Sequence, residues 1–392
     1  MKIGLVIPYL RDRAGGEHET LWVAIGLQNA GHDVRIYTYI SNPEKCFPKL
    51  CKKVKIVSVV GLNSAHEKLI HSQKRAWMRL VSDFRPYYEW HMMRQLSKII
   101  DSDREVICAT NQPAEWAASS AAKRLGIPWC WLCNEPPFYF DERIPKSAIR
   151  RLVQWPIYQA YDRRAVRGVS TVFSLSDIAK PFIDKLYGVD SITAHLPVMP
   201  GSQIYLKHEP RGKRVKALFV ASFSVYKRPI DAIEAMQHVP DAELDMIGEG
   251  YLQPRMESLI KKLGLEGRVR LSPRVSEEKL AEFYSKADVF ICTADQSWGL
   301  VAIDAIERDV IVISGKETGV SEILEDGKTG LIVPARDPGA IAGKIKWVAA
   351  HPEESAQIAR QAKEVLKELT LEKYVAQLEK GFRQALDGHE TK

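Results

Sequence analysis

The sequence predicts an α/β chain built from two doubly wound domains that face each other across a cleft. Three observations carry that reading. Short apolar strands alternate with amphipathic helices from end to end, which calls for parallel sheets joined by right-handed crossovers. Runs such as Val310-Ile311-Val312-Ile313 are apolar at every position, as strands covered on both faces require. The chain of 392 residues is too long for one ordinary domain and suits two.

In the first half, strands are expected at Lys2–Tyr9, Asp33–Ile40, Lys55–Val60, Glu105–Thr110, Pro128–Cys133 and Ser170–Leu175. Helices are expected at Glu17–Ala30 and Pro113–Leu125, stopped by Gly31 and Gly126. The second half repeats the scheme with strands at Val215–Val220, Glu243–Ile247, Arg268–Leu271, Asp288–Cys292, Val310–Ile313 and Gly330–Val333. The seam lies around Pro197–Gly212, where Pro197, Pro200, Gly201, Pro210 and Gly212 punctuate a polar stretch. The division is therefore 1–205, 206–370 and a last helix within 371–392 that crosses back to brace the first domain.

Composition excludes other classes. Hydrophobic residues make up 45% and charged residues 27%, which is an ordinary globular balance. No apolar run approaches the roughly 20 residues of a membrane-spanning helix, and Met1–Leu10 reads as a first strand, not a signal peptide, so a cytoplasmic protein is expected. Cys130 and Cys133 have C-x-x-C spacing, but on a strand residues three apart point to opposite faces. No second pair at ligand spacing follows, so they read as core cysteines. Asp101-Ser102-Asp103 has the spelling of a metal-binding triplet but sits in a polar turn before a strand, and no metal is expected.

Charge is uneven. Residues 1–200 hold 28 Lys and Arg against 19 Asp and Glu, while the remainder holds 28 against 30. A basic first half favours an anionic partner. Lys68, Lys74, Arg75, Arg79, Arg85 and Arg94 interleave with apolar and aromatic residues such as Trp77, Phe84 and Trp90. That pattern fits either a solvated amphipathic helix or a face lying peripherally on an anionic membrane and reaching a lipid-linked acceptor. No nucleic-acid module accompanies the charge, so nucleic acid is not an expected partner.

Three segments have the chemistry to hold a phosphorylated ligand. Gly15-Gly16-Glu17 opens a helix after the first strand, where glycines let backbone amides approach an anion. Lys227-Arg228 lies on the loop leaving the first strand of the second domain, placed for a diphosphate. Gly299-Leu300-Val301 opens a helix directly after a strand and offers free helix-start amides, with Asp304 a turn and a half further on in an otherwise apolar helix. Glu322 suits the first turn of a helix.

Read in order, these and neighbouring motifs resemble the retaining nucleotide-sugar glycosyltransferases of family four, with GT-B architecture. The resemblance runs through Val220–Lys227, Met246-Ile247-Gly248-Glu249-Gly250, Val269–Ser276, Leu280–Val289, and Thr318–Leu324 followed by Gly330–Val333. In the first half Gly15-Gly16-Glu17 and Gly31-His32-Asp33-Val34 match the opening. It implies two Rossmann-like domains and a UDP- or GDP-sugar donor bound without a cofactor. It also implies an acceptor that is a glycan, a lipid-linked molecule or a small molecule. By the same resemblance Ser222, Lys227 and Arg228 fall on the diphosphate loop, and Gly248, Arg274 and Val275 near the base. The amides of Gly299, Leu300 and Val301 fall at the diphosphate, Gln296 at the sugar, Asp304 at the ribose and Glu322 at the ribose or the local backbone, with Trp298 a further substrate contact. The departures are specific. The family's two glutamates stand here as Gln296 and Asp304, its loop arginine as Ser222, its first-domain histidine as Asn134, and the glycine before its base loop as Pro273. Asp304 keeps a carboxylate for ribose hydroxyls, whereas Gln296 and Asn134 hold a hydroxyl without charge or proton shuttling. Catalysis is expected of Lys227, Gln296 and Asn134, with the departing phosphate taking the acceptor's proton. A binding protein or partner subunit with weakened turnover is the alternative.

Overall fold

The computed structural model describes residues 1–61, 85–134, 150–199, 206, 214–295 and 298–390. It divides into two compact units. The first comprises Met1–Leu175, Lys180–Met199 and Leu371–Lys392, and the second Ser176–Ala179 and Pro200–Thr370.

The first unit is a seven-stranded parallel sheet. Its strands are β1 (Lys2–Leu10), β2 (Asp33–Ser41), β3 (Lys55–Val60), β4 (Val106–Thr110), β5 (Trp129–Cys133), β6 (Thr171–Ser174) and β7 (Ile192–Thr193), in the order β3-β2-β1-β4-β5-β6-β7. Leu5 lies level with Ile36 of β2 and Cys108 of β4, and all three are fully buried. Helix Gly15–Asn29 follows β1 and helix Ala114–Leu125 follows β4. Gly31 and Gly126 both take left-handed conformations just past these helices, as expected of helix stops. Helix Leu371–Glu390 packs on this unit. A Cβ on Gly26 would lie 2.6 Å from Val375, and Phe382 meets Phe173 edge-on at 6.0 Å. β7 is absent from the expected strands, because two residues are too few to show a pattern.

The second unit is a six-stranded parallel sheet in the order β10-β9-β8-β11-β12-β13. Its strands are β8 (Val215–Val220), β9 (Ala242–Ile247), β10 (Val269–Ser272), β11 (Val289–Cys292), β12 (Ile311–Gly315) and β13 (Leu331–Val333). Its core joins Phe219, Met246, Ile291 and Ile313 of the sheet to Met236 and Ile345 of the covering helices.

All six cysteines are buried and none is in a disulfide, including Cys130 and Cys133 on β5. Asp101 and Asp103 are not a merely solvated turn. They join Arg35, Arg104, Tyr37 and Asp33 in an ion-pair network around the fully buried guanidinium of Arg104. Among the described residues no helix is long and apolar enough to cross a membrane.

In each sheet chain order reverses beside the first strand, between β1 and β4 and between β8 and β11. At such a point the loops leaving two neighbouring strands diverge to opposite faces and open a crevice beyond their carboxyl ends.

Candidate functional site

In the second unit, the loop leaving β8 is supported from below by the turn after β9. Ala221 N–H donates to Ile247 O (3.1 Å) and Phe223 N–H to Glu249 O (2.9 Å). A Cβ on Gly248 would stand 1.9 Å from Ala221 O, so only glycine permits this approach. Gly248 therefore supports the loop by packing, which differs from the ligand contact expected of it.

The β8 loop is tied to the β11 loop as well. Asp295 N–H donates to Tyr226 O (2.7 Å), and the Thr293 hydroxyl donates to Lys227 O and Arg228 O (3.4 and 3.3 Å). The two neighbouring cations diverge. Arg228 takes a left-handed conformation (φ 56°), pairs with Asp231 and brings Nε 3.8 Å from Asp295 Oδ1. Its side chain is 10% exposed and held by two carboxylates, so it braces the loop, which differs from the phosphate contact expected of it. Lys227 is half-buried with Nζ 5.2 Å from the Tyr226 ring centre. It lies near the end of β11, where burial pushes the Cys292 thiol up to about 11 and the lysine's charge opposes that rise.

Gly299 starts helix Leu300–Glu307 from a left-handed conformation (φ 89°), close against Cys292. The first bond inside the helix is Ala302 N–H to Gly299 O (2.8 Å), so the Leu300 and Val301 amides have no acceptor within it. Asp304 follows on the same helix. Its side chain is 46% exposed, yet loss of hydration lifts its pKa to about 6 against the pull of Arg308, 3.8 Å away. Arg308 is held in turn by donating to Asp304 O (2.8 Å) and by the Tyr284 ring (5.1 Å).

Other expected residues are placed differently. Trp298 is 2% exposed and packs against Gly319, so its side chain belongs to the core. Glu322 accepts the amides of Asp177 (3.0 Å) and Ile178 (2.5 Å) and so caps the short Ser176–Ala179 segment, in competition with a ribose role. Arg274 is exposed and Val275 half-buried on the loop after β10. Ser222 Oγ lies 3.3 Å from Ser224 Oγ. Gln296 lies outside the described residues, as do Lys68, Lys74, Arg75 and Arg79.

The first unit carries a second cluster at its own switch point. Gly15 is exposed, Gly16 and Glu17 are half-buried, and a Cβ on Gly16 would overlap the Asn111 amide at 2.0 Å. Asn134, directly after β5, donates to Glu19 and to Asn111 Oδ1 (3.2 Å). Tyr374 OH donates to Glu19 Oε1 (3.1 Å). Glu19 is 2% exposed. Burial pushes its pKa up to about 7, and the hydrogen bonds from Tyr374 and Asn134 hold it from rising further. Glu19, Asn111 and Asp295 do not stand out in the sequence. The one signal for Glu19 is a carboxylate entering the apolar run Leu21–Leu27 of its helix.

Residues 204–365 match the glycosyl transferases group 1 family. The second unit belongs to that family. Around this glycosyl transferase unit the whole chain has the GT-B fold of two Rossmann-like domains. It superposes on Anabaena HepE in complex with UDP and glucose at a TM-score of 0.70, with 15% identity, covering 97% of this chain and 98% of that one. Sucrose-phosphate synthase from Thermosynechococcus elongatus gives 0.71 with 16% identity and 99% of both chains. Among curated sequences, the D-inositol 3-phosphate glycosyltransferase of Streptomyces avermitilis is 33% identical over 117 residues, 29% of this chain and 25% of that protein. The one from Corynebacterium urealyticum is 28% identical over 251 residues, 57% and 56% of the two chains. The chain spans about a quarter to a third of the length of the first curated relatives it matches. These comparisons agree with the resemblance that the ordered motifs carry.

Proposed function

We propose that the protein transfers a sugar from a UDP- or GDP-sugar to an acceptor hydroxyl with retained configuration. The observation that supports this is that Lys227 follows β8, and the Leu300 and Val301 amides and Asp304 follow β11, the two strands that flank the switch point. Lys227 and the amides meet the diphosphate, and Asp304 accepts the ribose hydroxyls. As the bond from the sugar's anomeric carbon to the diphosphate oxygen breaks, negative charge grows on the leaving group. One donor preorganised for such charge is worth about 3 kcal/mol. The new bond to the acceptor oxygen forms on the same face, and the acceptor proton passes to the departing phosphate. No metal enters this account, because the lysine and the helix start supply the countercharge.

The relatives named as D-inositol 3-phosphate glycosyltransferases and the neighbours solved with UDP support a nucleotide-sugar donor. A glycan, lipid-linked or small-molecule acceptor suits the first unit, and the excess of Lys and Arg over Asp and Glu in residues 1–200 would favour an anionic membrane. A location at the cytoplasmic membrane face follows from that reading.

A thermal-shift titration with UDP and GDP tests the proposal, since a ligand that binds only the folded state raises the melting point in proportion to occupancy. One of them should do so, and Lys227→Ala should abolish the rise. A melting point unmoved by both would refute the reading. A shift without turnover of any UDP- or GDP-sugar would favour the binding-protein alternative, which the uncharged Asn134 and Ser222 already motivate.

A further inference from the structure

Exposed apolar side chains gather on one helix of the first unit. Eight large hydrophobic residues are exposed among the described residues. Four of them, Leu152 (69%), Val153 (53%), Ile157 (40%) and Tyr161 (41%), fall between positions 152 and 161. They lie along the π-helical turn Arg150–Gln154 and the α-helix Trp155–Val166 that continues it. The core side of that helix is already filled. Trp155, Tyr158, Asp162, Ala165 and Val166 are buried at helical spacing. Tyr158 OH donates to Glu89 Oε2 (2.7 Å), and its ring lies 5.6 Å from that of Trp116. The exposed residues are therefore a second apolar side, which the unit's core leaves in solvent. Single apolar residues on a surface are ordinary, whereas a contiguous patch marks a surface that meets a partner.

Charge identifies the partner. Val153, Ile157 and Tyr161 are spaced by four residues and Arg164 follows three further on, so the stripe ends in a cation about 16 Å from its start. Arg163 and Arg167 flank that cation, and all three arginines are exposed. The one acid between Leu152 and Arg167 is Asp162, which is fully buried and accepts the Tyr187 hydroxyl. Every charge that this stretch shows to water is therefore positive. The dipole at a helix's C-terminus accounts for cations there, but not for the apolar stripe that leads to them. Apolar side chains along one side of a helix, with arginines beside them, match the boundary of an anionic bilayer between acyl chains and phosphate headgroups. We propose that Leu152–Arg167 docks in the surface of an anionic membrane. Val153, Ile157 and Tyr161 enter the acyl boundary, and the three arginines meet lipid phosphates. The inference rests on the membrane reading above and deepens it by naming the docking surface.

Co-sedimentation with vesicles tests it. Full-chain wild type is mixed with vesicles of equal parts phosphatidylcholine and phosphatidylglycerol and, in parallel, with vesicles of phosphatidylcholine alone. Wild type should pellet with the anionic vesicles and stay in solution with the neutral ones. Arg163→Gln/Arg164→Gln/Arg167→Gln should lower the partition coefficient about a hundredfold, the combined worth of three cations at an anionic surface. Val153→Gln/Ile157→Gln should lower it about tenfold or more, through lost apolar burial. Both variants change exposed side chains, so their urea unfolding should match wild type, which separates lost docking from lost folding. Binding retained in full by either variant would overturn the inference and leave the membrane reading standing. Wild type that stays in solution with both kinds of vesicle would refute both, without touching the nucleotide-sugar reading. A wild type that is dimeric without lipid, with Val153→Gln/Ile157→Gln monomeric, would assign the stripe to a second copy of this chain and overturn the inference.

Discussion

Replacing Glu19 by glutamine should remove a penalty that the wild-type protein carries at alkaline pH. Glu19 is fully enclosed and carries a pKa of about 7 against an ordinary 4.5. The folded state therefore holds a proton that the unfolded chain has already lost between those two values. Where the folded state binds more protons, stability falls as pH rises, so the penalty is absent below about pH 4.5 and complete above about pH 7. The gap in pKa corresponds to about 3 kcal/mol at the alkaline plateau. The groups facing Glu19 do not complicate this window. Burial raises the Tyr374 hydroxyl and the Cys108 thiol well above their ordinary values, and Asn134 does not titrate. Glutamine does not titrate, so whatever its own hydrogen bonds cost is the same at every pH. Urea unfolding of wild type and Glu19→Gln at pH 5 and pH 8.5 should show the difference between them shifting by about 2.5 kcal/mol toward the variant. A difference that stays the same at both pH values would mean that Glu19 is ionised without penalty, and the account of its burial would be wrong.

Three further outcomes follow from the second unit. Gly248→Ala drives a methyl to 1.9 Å from Ala221 O, so the β8 loop must move. Its nucleotide affinity should fall more than tenfold in calorimetry, at a stability cost of about 2 kcal/mol or more in urea unfolding. Asp304→Asn should weaken nucleotide binding about tenfold, and wild-type affinity should drop as pH falls through about 6, where Asp304 takes up a proton and can no longer accept two ribose hydroxyls. An affinity flat across that range would remove Asp304 from the ribose. Asp295→Ala leaves Arg228 and Arg336 without their shared, nearly buried carboxylate and should lower stability by about 3 kcal/mol, measured by urea unfolding.

Much of the architecture was legible because its determinants are local. Unbroken apolar runs such as Val289–Cys292 and Val310–Ile313 admit little besides buried parallel strands, and Gly31 and Gly126 stop helices by their own backbone freedom. The glycines and the helix start at the second switch point were legible for the same reason. What was not legible depends on where a side chain turns. Lys227 and Arg228 look equivalent as neighbours. One left-handed residue sends Arg228 into Asp231 and Asp295, and leaves Lys227 near the end of β11. Trp298 is expected among the substrate contacts, yet its side chain fills the space against Gly319. Glu19 pairs with residues 115 and 355 positions away, a separation no spacing rule detects.

The fate of Arg228 bears on how this chain handles charge. The loop arginine of the resembled family is Ser222 here, and the arginine six residues further along the same loop is consumed by two carboxylates. Diphosphate charge must then fall on Lys227 and on the backbone dipoles of one helix start. Those contributions differ in kind. Amides fixed by Gly299 are preorganised and insensitive to salt, whereas a half-buried lysine is partly screened. Raising ionic strength should therefore weaken nucleotide binding only as far as the Lys227→Ala variant does, and the variant itself should show little further salt dependence. A variant that remained as salt-sensitive as wild type would show that another cation carries the phosphate, and Arg274, exposed on the loop after β10, would be the residue to replace next.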